Sequence, residues 1–411
     1  MYPTRRIGTD YDILYLSTYR RIFSLEGNKM KTLFVTHTTG YGGAAISLTT
    51  DLVYLLENGL LKDQDAAIAA PYTTTGILQD QYHEFNSKLP FYLWTMPFST
   101  AYKGGSVQVH AKLYSVVKEV TAILFWVGAY NRIIRREEFT HIHLNSTVFW
   151  SLLPFLPKEV KKIVHVRELI SDDYSGKIAR KMINRYADTI IAISQQTAKG
   201  FPRAVVVENP YDMYRARQYR NVRAEVKSQM GIPIDSFIVS VFSPIGVQKG
   251  SDFLVKVINK IPKEVPIHFL LVGNPFRGEK ETYDALTRIS NVHIFPPSKE
   301  MYKYYAVSDI VLRCEPYLPL GRTVYEGIYA GCITVLPVAE GEEGGAKEIM
   351  KYLGRQMFLY KASDPESCVR TIINYVFATH KNGVYDNGFE PTTNIKESAE
   401  KFLSVIKGER K

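Results

Sequence analysis

The sequence predicts an α/β protein of two domains, each built on a parallel sheet. Three observations carry that reading. The chain has 411 residues, enough for two well-buried cores. Short β-branched runs alternate with helical patterns from end to end, the mark of βα units. The parallel pattern also restarts near residue 236, after a polar stretch, NPYDMYRARQYRNVRAEVKSQMGIP, that reads as the connection between domains.

In the first half the strands fall at KTLFVTH (31–37), AAIAAP (66–71), HIHLN (141–145), KIVHVRE (162–168), TIIAIS (189–194) and AVVVEN (204–209). In the second they fall at SFIVSVF (236–242), HFLLVG (268–273), NVHIFP (291–296), DIVLRC (309–314) and CITVLP (332–337). This divides the chain into an amino-terminal extension (1–29), a first domain (30–211), a second domain (212–393) and a final helix (394–411) that packs back toward the first. Met30 directly precedes the first core strand, so residues 1–29 read as an upstream extension or a misassigned start.

Net charge is +10, from 51 Lys and Arg against 41 acids, spread along the chain. Such a balance suits anionic small molecules, anionic lipid surfaces or nucleic acid. No RRM, zinc-finger or basic-helix signature supports nucleic acid, which is not expected as a partner. The three cysteines, Cys314, Cys332 and Cys368, lack paired metal-ligand spacing and fit a reducing compartment. Charges follow Arg5 and Arg6 where a secretory signal would be apolar. The longest apolar run, 120–130, is far short of the roughly 20 residues that span a bilayer. It lies between Lys112 and Lys118 on one side and Arg132, Arg135 and Arg136 on the other. A core helix with solvated ends and a helix lying on an anionic membrane face both fit. The expected location is cytoplasmic, with peripheral contact to the inner membrane face under the second option.

The most informative segment is SDIVLRCEPYLPLGRTVYEGIYAGCITVLPVAEGEEGGAKEIM (308–350). A buried strand at 310–312 should lead into a loop at 315–321 and a helix at 322–330. In a parallel sheet, ligands sit at the carboxyl ends of strands, where loop amides and helix amino termini face the crevice. Gly321, Arg322 and Glu326 are thus candidates for a nucleotide site. A carboxylate at Glu326 can accept from neighbouring ribose hydroxyls, although an acid near a helix start also suits the macrodipole. Lys249, after the loop 243–248, can neutralise a diphosphate as a mobile point charge or remain a solvated lysine. The glycine turn TTGYGG (38–43) opens a helix, as a ligand loop or simply as a tight turn. Asn145, His165, Arg167, Glu168 and Ser194 all end strands. Together they read as acceptor-binding and proton-handling groups, singly as caps. Asp63 and Asp65 form a D-x-D at the amino end of a strand, the wrong edge for a switch-point site, and read as a surface turn. No Gly-x-Ser-x-Gly, Walker loop or His-Glu-x-x-His occurs.

These landmarks resemble the retaining GT-B glycosyltransferases of the family-four type (glycosyl transferases group 1). The resemblance runs from about residue 30 to 350, through Gly40 to Gly43, Ser194, Asn209, Lys249-Gly250, Gly273 and the block from Asp309 to Glu348. It implies two Rossmann-like, doubly wound parallel-sheet domains facing a central cleft. By the same resemblance a nucleotide-diphosphate sugar is the donor, and a glycan or lipid-linked molecule is the acceptor, as in surface polysaccharide biosynthesis. The implied catalytic set is Lys249, Arg322, Glu326 and Glu315. Donor-binding residues would be Gly42, Gly43, Gly273, Pro296, Gly321 and Thr323, and acceptor-binding residues Asn145, His165, Arg167 and Glu168. No cofactor and no essential metal are expected.

Two family positions depart from the pattern. The family's first motif glutamate falls on Leu318, with Glu315 three residues earlier as a substitute, and its loop arginine falls on Pro244. A nucleotide-sugar epimerase of the same fold and a catalytically inactive glycan or nucleotide-sugar binder are the alternative readings.

Overall fold

The computed structural model describes residues 5–7, 30–37, 43–71, 91–94, 127–128, 130–170, 172–276, 278–298, 300–317, 321–341, 356–379 and 390–409. Outside these residues lie Gly42 with the rest of the glycine turn before Gly43, Leu318, Glu348, and the part of the basic-flanked helix from 112 to 126. The chain forms two compact units, one of Met1–Pro210 with Ile395–Lys411 and one of Tyr211–Asn394. They have the GT-B architecture of two Rossmann-like parallel sheets flanked by helices.

In the first unit the strands are β1 (Arg5–Ile7), β2 (Thr32–Val35), β3 (Ala66–Pro71), β4 (Phe91–Trp94), β5 (His141–Leu144), β6 (Lys161–Val166), β7 (Thr189–Ala192) and β8 (Ala204–Val206). They lie in the order β1-β4-β3-β2-β5-β6-β7-β8, with every pairing parallel. Residues 5–7, read above as part of an extension, add an outer strand beside β4. Neither β1 nor β4 was anticipated.

The central strand β2 packs apolar side chains on both faces, as expected of a parallel sheet covered on both sides. On β2, Leu33 and Val35 join one core cluster while Phe34 joins the other, as the period of two requires. The second cluster is closed by the helix Ile395–Lys407, whose Ala399, Phe402, Leu403 and Ile406 pack against Phe34, Leu48, Leu52, Ile68 and Ile163. Phe402 is fully buried. Phe402→Ala should therefore cost about 3–5 kcal/mol, read from denaturant unfolding of the first unit; a loss below about 1 kcal/mol would show that the helix does not close this core.

The second unit holds β9 (Phe237–Phe242), β10 (Ile267–Val272), β11 (Val292–Phe295), β12 (Ile310–Leu312), β13 (Ile333–Val338) and β14 (Met357–Lys361). Their order is β11-β10-β9-β12-β13-β14, again all parallel. β14 escaped the sequence reading. Phe237, Val239 and Val241 of β9 face one core and Ile238 and Phe242 the other. Successive strands run outward from β9 on one side and from β12 on the other, so the winding reverses between these two neighbours. That junction is the topological switch point, and the loops leaving β9 and β12 flank it.

Candidate functional site

The loop after β9 ends in a short 3-10 turn, Val247–Lys249, followed by Gly250 and the helix Ser251–Lys260. Gly250 has φ +73°, and a Cβ there would lie 2.0 Å from the carbonyl oxygen of Cys314, just past β12. The glycine thus lets the two switch-point loops meet backbone to backbone. Gly273, after β10, makes the same allowance: a Cβ would fall 2.0 Å from the Ser243 carbonyl oxygen. Pro296 follows β11 at the same edge and is exposed.

Around that junction the side chains form two hydrogen-bonded groups. Glu315, only 2 % exposed, accepts from Arg313 Nε at 3.1 Å and from a second guanidinium nitrogen of the same residue. Lys249 Nζ lies 3.5 Å from the same carboxylate. Arg313 also donates to Thr323 Oγ1, in the first turn of the helix Arg322–Tyr329. Burial alone would raise the Glu315 pKa, but the charge of Arg313, its hydrogen bonds and then Lys249 outweigh burial and hold it below the ordinary carboxylate value. Glu315 is therefore ionised at neutral pH.

The second group sits on the same helix. Arg322 Nε donates to Glu326 Oε1 at 2.7 Å, and the Tyr305 hydroxyl donates to Glu326 Oε2 at 2.8 Å. The Arg322 guanidinium lies 4.9 Å over the Tyr211 ring, which itself stacks on Tyr325 and Tyr329. Burial, then the adjacent Glu326 carboxylate, pushes the Tyr305 phenol well above its usual value, so it remains a donor. Gly321, at the amino end of this helix, is exposed beside the loop. Two side-chain groups thus meet on one helix: Lys249, Glu315 and Thr323 joined through Arg313, and Arg322 and Glu326 joined by Tyr305 on the same carboxylate; the sequence reading missed Arg313 and Tyr305.

In the first unit the winding reverses between β2 and β5. Gly43 opens the helix Gly43–Glu57 after β2, and Asn145, just past β5, donates through Nδ2 to the Ala44 carbonyl at 3.0 Å. Arg167 donates to Asn145 Oδ1 and to Asn209 Oδ1, both at 2.7 Å, and to His165 Nδ1 at 3.2 Å. Glu168 accepts from Ser146 Oγ at 2.6 Å and from Thr147 Oγ1 at 3.0 Å. The sequence-derived acceptor set is therefore one cluster, but its members differ in exposure. His165 is buried against His143, 3.2 Å away, with Phe402 packed on both rings. It touches Arg167 rather than solvent. Ser194 is a cap: it accepts from Thr197 N at 3.1 Å at the start of the helix Gln195–Ala198. Asp63 and Asp65 lie in a short 3-10 turn before β3.

Burial, then Arg167, lowers the pKa of both His143 and His165 well below 6.5. Both rings are neutral in the folded state, so below about pH 6.5 the unfolded chain binds more protons than the folded one. Stability is then fully present above that pH and falls as pH drops, by up to about 1.4 kcal/mol per pH unit for each ring. The melting temperature should decline from pH 7 to pH 5; a flat profile would contradict the neutral pair.

Among the described residues, no three His, Cys, Asp or Glu side chains converge as a metal site. Nor is any helix among them long and apolar enough to cross a membrane.

No protein-family model matches the chain. A curated relative, the UDP-N-acetylglucosamine–N-acetylmuramyl-(pentapeptide) pyrophosphoryl-undecaprenol N-acetylglucosamine transferase of Finegoldia magna, is 24% identical over 184 residues, 42% of this chain. The match spans about half of that relative's length, 48%. Among solved structures, Anabaena HepE in complex with UDP and glucose aligns with TM-score 0.63 and 19% identity, over 92% of this chain and 97% of that one. The UDP-GlcNAc 2-epimerase of Neisseria meningitidis bound to UDP-GlcNAc aligns with TM-score 0.54 and 10% identity, over 93% and 100%. The fold is thus the GT-B fold of glycosyltransferases, and an epimerase shares it.

Proposed function

We propose that this chain is a retaining glycosyltransferase that moves a sugar from a uridine-diphosphate donor to a glycan or lipid-linked acceptor in polysaccharide assembly. The observation that carries the reading is the charged network at the carboxyl ends of β9 and β12, where a parallel sheet receives its ligand. The choice of uridine is supported by HepE and the Neisseria epimerase, whose structures hold UDP or UDP-GlcNAc. A lipid-linked acceptor is supported by the name of the Finegoldia relative.

In this mechanism the bond from the sugar C1 to the diphosphate oxygen breaks while an acceptor hydroxyl bonds to C1 on the same face. The hydroxyl proton passes to the departing phosphate. Negative charge grows on the diphosphate, and stabilising it is the main electrostatic demand. Lys249 and Arg322 supply positive charge, and backbone amides at Gly321 and in the first turn of its helix supply donors. Glu326, held by Arg322 and Tyr305, keeps free lone pairs for the ribose hydroxyls. These cations make an essential metal unnecessary. Gly273 and Pro296 are assigned to the nucleotide base, and Asn145, Arg167 and Glu168 to the acceptor. A cytoplasmic location with peripheral membrane contact is part of the proposal, supported by exposed Arg132 and Arg135.

Glu326→Ala should weaken UDP binding at least about tenfold, or about 1.4 kcal/mol, by titration calorimetry. Unchanged affinity would remove the ribose role. A panel of UDP-sugars, with and without oligosaccharide and lipid-linked acceptors, tests the function itself. Acceptor-dependent release of UDP supports transfer. Conversion of the sugar on UDP without acceptor supports an epimerase, the reading favoured by the Neisseria likeness. Binding without turnover supports an inactive binder.

A further inference from the structure

We infer that Arg313 is a positioning residue of the donor site: its guanidinium grips Glu315, which aims Lys249 at the diphosphate, and clamps Thr323 at the amino end of the next helix. The inference rests on the donor-site reading above and extends it to a residue that touches no ligand.

The geometry points to this role for three reasons. First, Arg313 reaches two elements at once, the chain leaving β12 through Glu315 and the first turn of the helix Arg322–Tyr329 through Thr323. Its own backbone is pinned, because the Tyr360 hydroxyl donates to the Arg313 carbonyl at 2.7 Å. Second, Arg313 and Glu315 are both buried, at 6 % and 2 % exposure, whereas the Lys249 side chain keeps 24 %. The planar fork of a guanidinium holds a carboxylate in one orientation, which a point charge does not. The carboxylate can then fix the more exposed ammonium at the mouth of the loop. Third, two cations and one anion leave the group with one net positive charge, and Lys249 is the exposed bearer of it. A pair serving only the core would need neither a third charge nor a place at the switch point.

The test uses the full chain, with UDP and uridine as probes. A purely structural defect weakens both ligands alike, since both bind the same unit. A misplaced lysine weakens only the ligand that carries phosphates. Arg313→Lys keeps a charge but loses the fork, and should lower UDP affinity at least tenfold with uridine affinity unchanged. The double substitution Arg313→Met with Glu315→Leu guards against misfolding, because a buried ion pair replaced as a whole by apolar groups is commonly tolerated. It should show the same selective loss. Equal loss of both ligands in the two variants would make Arg313 a structural residue and overturn the inference. Wild-type affinity for UDP in either folded variant would overturn it too. A wild-type chain that binds no UDP would sink the donor reading and this inference together, and is told apart from the other outcomes by its own titration.

Discussion

Lys249→Ala is expected to lower UDP affinity, and transfer from a UDP-sugar, at least about tenfold, which corresponds to about 1.4 kcal/mol or more. The lysine stands at the end of the β9 loop, with its Nζ 3.5 Å from the buried Glu315 carboxylate. Removing it leaves that carboxylate beside the proposed phosphate position with one cation fewer, so a repulsive charge remains where an attractive one was lost. The loss should be larger for UDP than for UMP, because the second phosphate carries the charge that develops on departure. Added salt should then weaken UDP binding less in the variant than in the wild type, since one charge contact has gone. Initial rates and calorimetry at two ionic strengths check both parts. Unchanged affinity with reduced turnover would place Lys249 at the reacting bond rather than on the bound nucleotide.

The second large effect is on stability. Gly250→Ala should destabilise the second unit by about 3 kcal/mol or more. A φ of +73° disfavours any side chain by about 1 kcal/mol, and a Cβ 2.0 Å from the Cys314 carbonyl oxygen must also push the loops after β9 and β12 apart. The same displacement separates Lys249 from Glu315, so UDP binding should fall even where the variant is folded. Chemical denaturation and UDP titration of one preparation read the two effects. A variant as stable as wild type would mean that the two loops do not meet at this glycine.

Much of the second unit was legible in the sequence because its buried strands are short apolar runs between turn signals. The apolar triplet of β12 and the Gly321-Arg322 helix start follow from local pattern alone. Strand ends were read too long at 167–168, 193–194 and 207–209. There the polar residues leave the ladder for side-chain bonds: Arg167 to Asn145, and Ser194 to its own helix cap. β14 was missed although MFLY is apolar, because the run is short and lies at a sheet edge, where Phe358 and Lys361 are exposed. Arg313 was missed for a different reason. A lone arginine after a strand reads as solvated, and its burial depends on Glu315, Thr323 and Tyr360, which meet it only in the fold. Tyr305 has the same history, since its partner Glu326 is 21 residues away in the chain. Conversely, His165 was legible as a strand-end polar residue, but its enclosure by Phe402 depends on a helix more than 200 residues distant.

The central claim is that the switch point between β9 and β12 holds the nucleotide diphosphate. A crystal structure of the chain with UDP tests it most directly. The account predicts phosphate oxygens within hydrogen-bonding distance of Lys249 Nζ and of the backbone amides at the start of the Arg322–Tyr329 helix, with the ribose on Glu326. UDP bound at another strand edge, or with its ribose and phosphates away from Glu326 and Lys249, would contradict it.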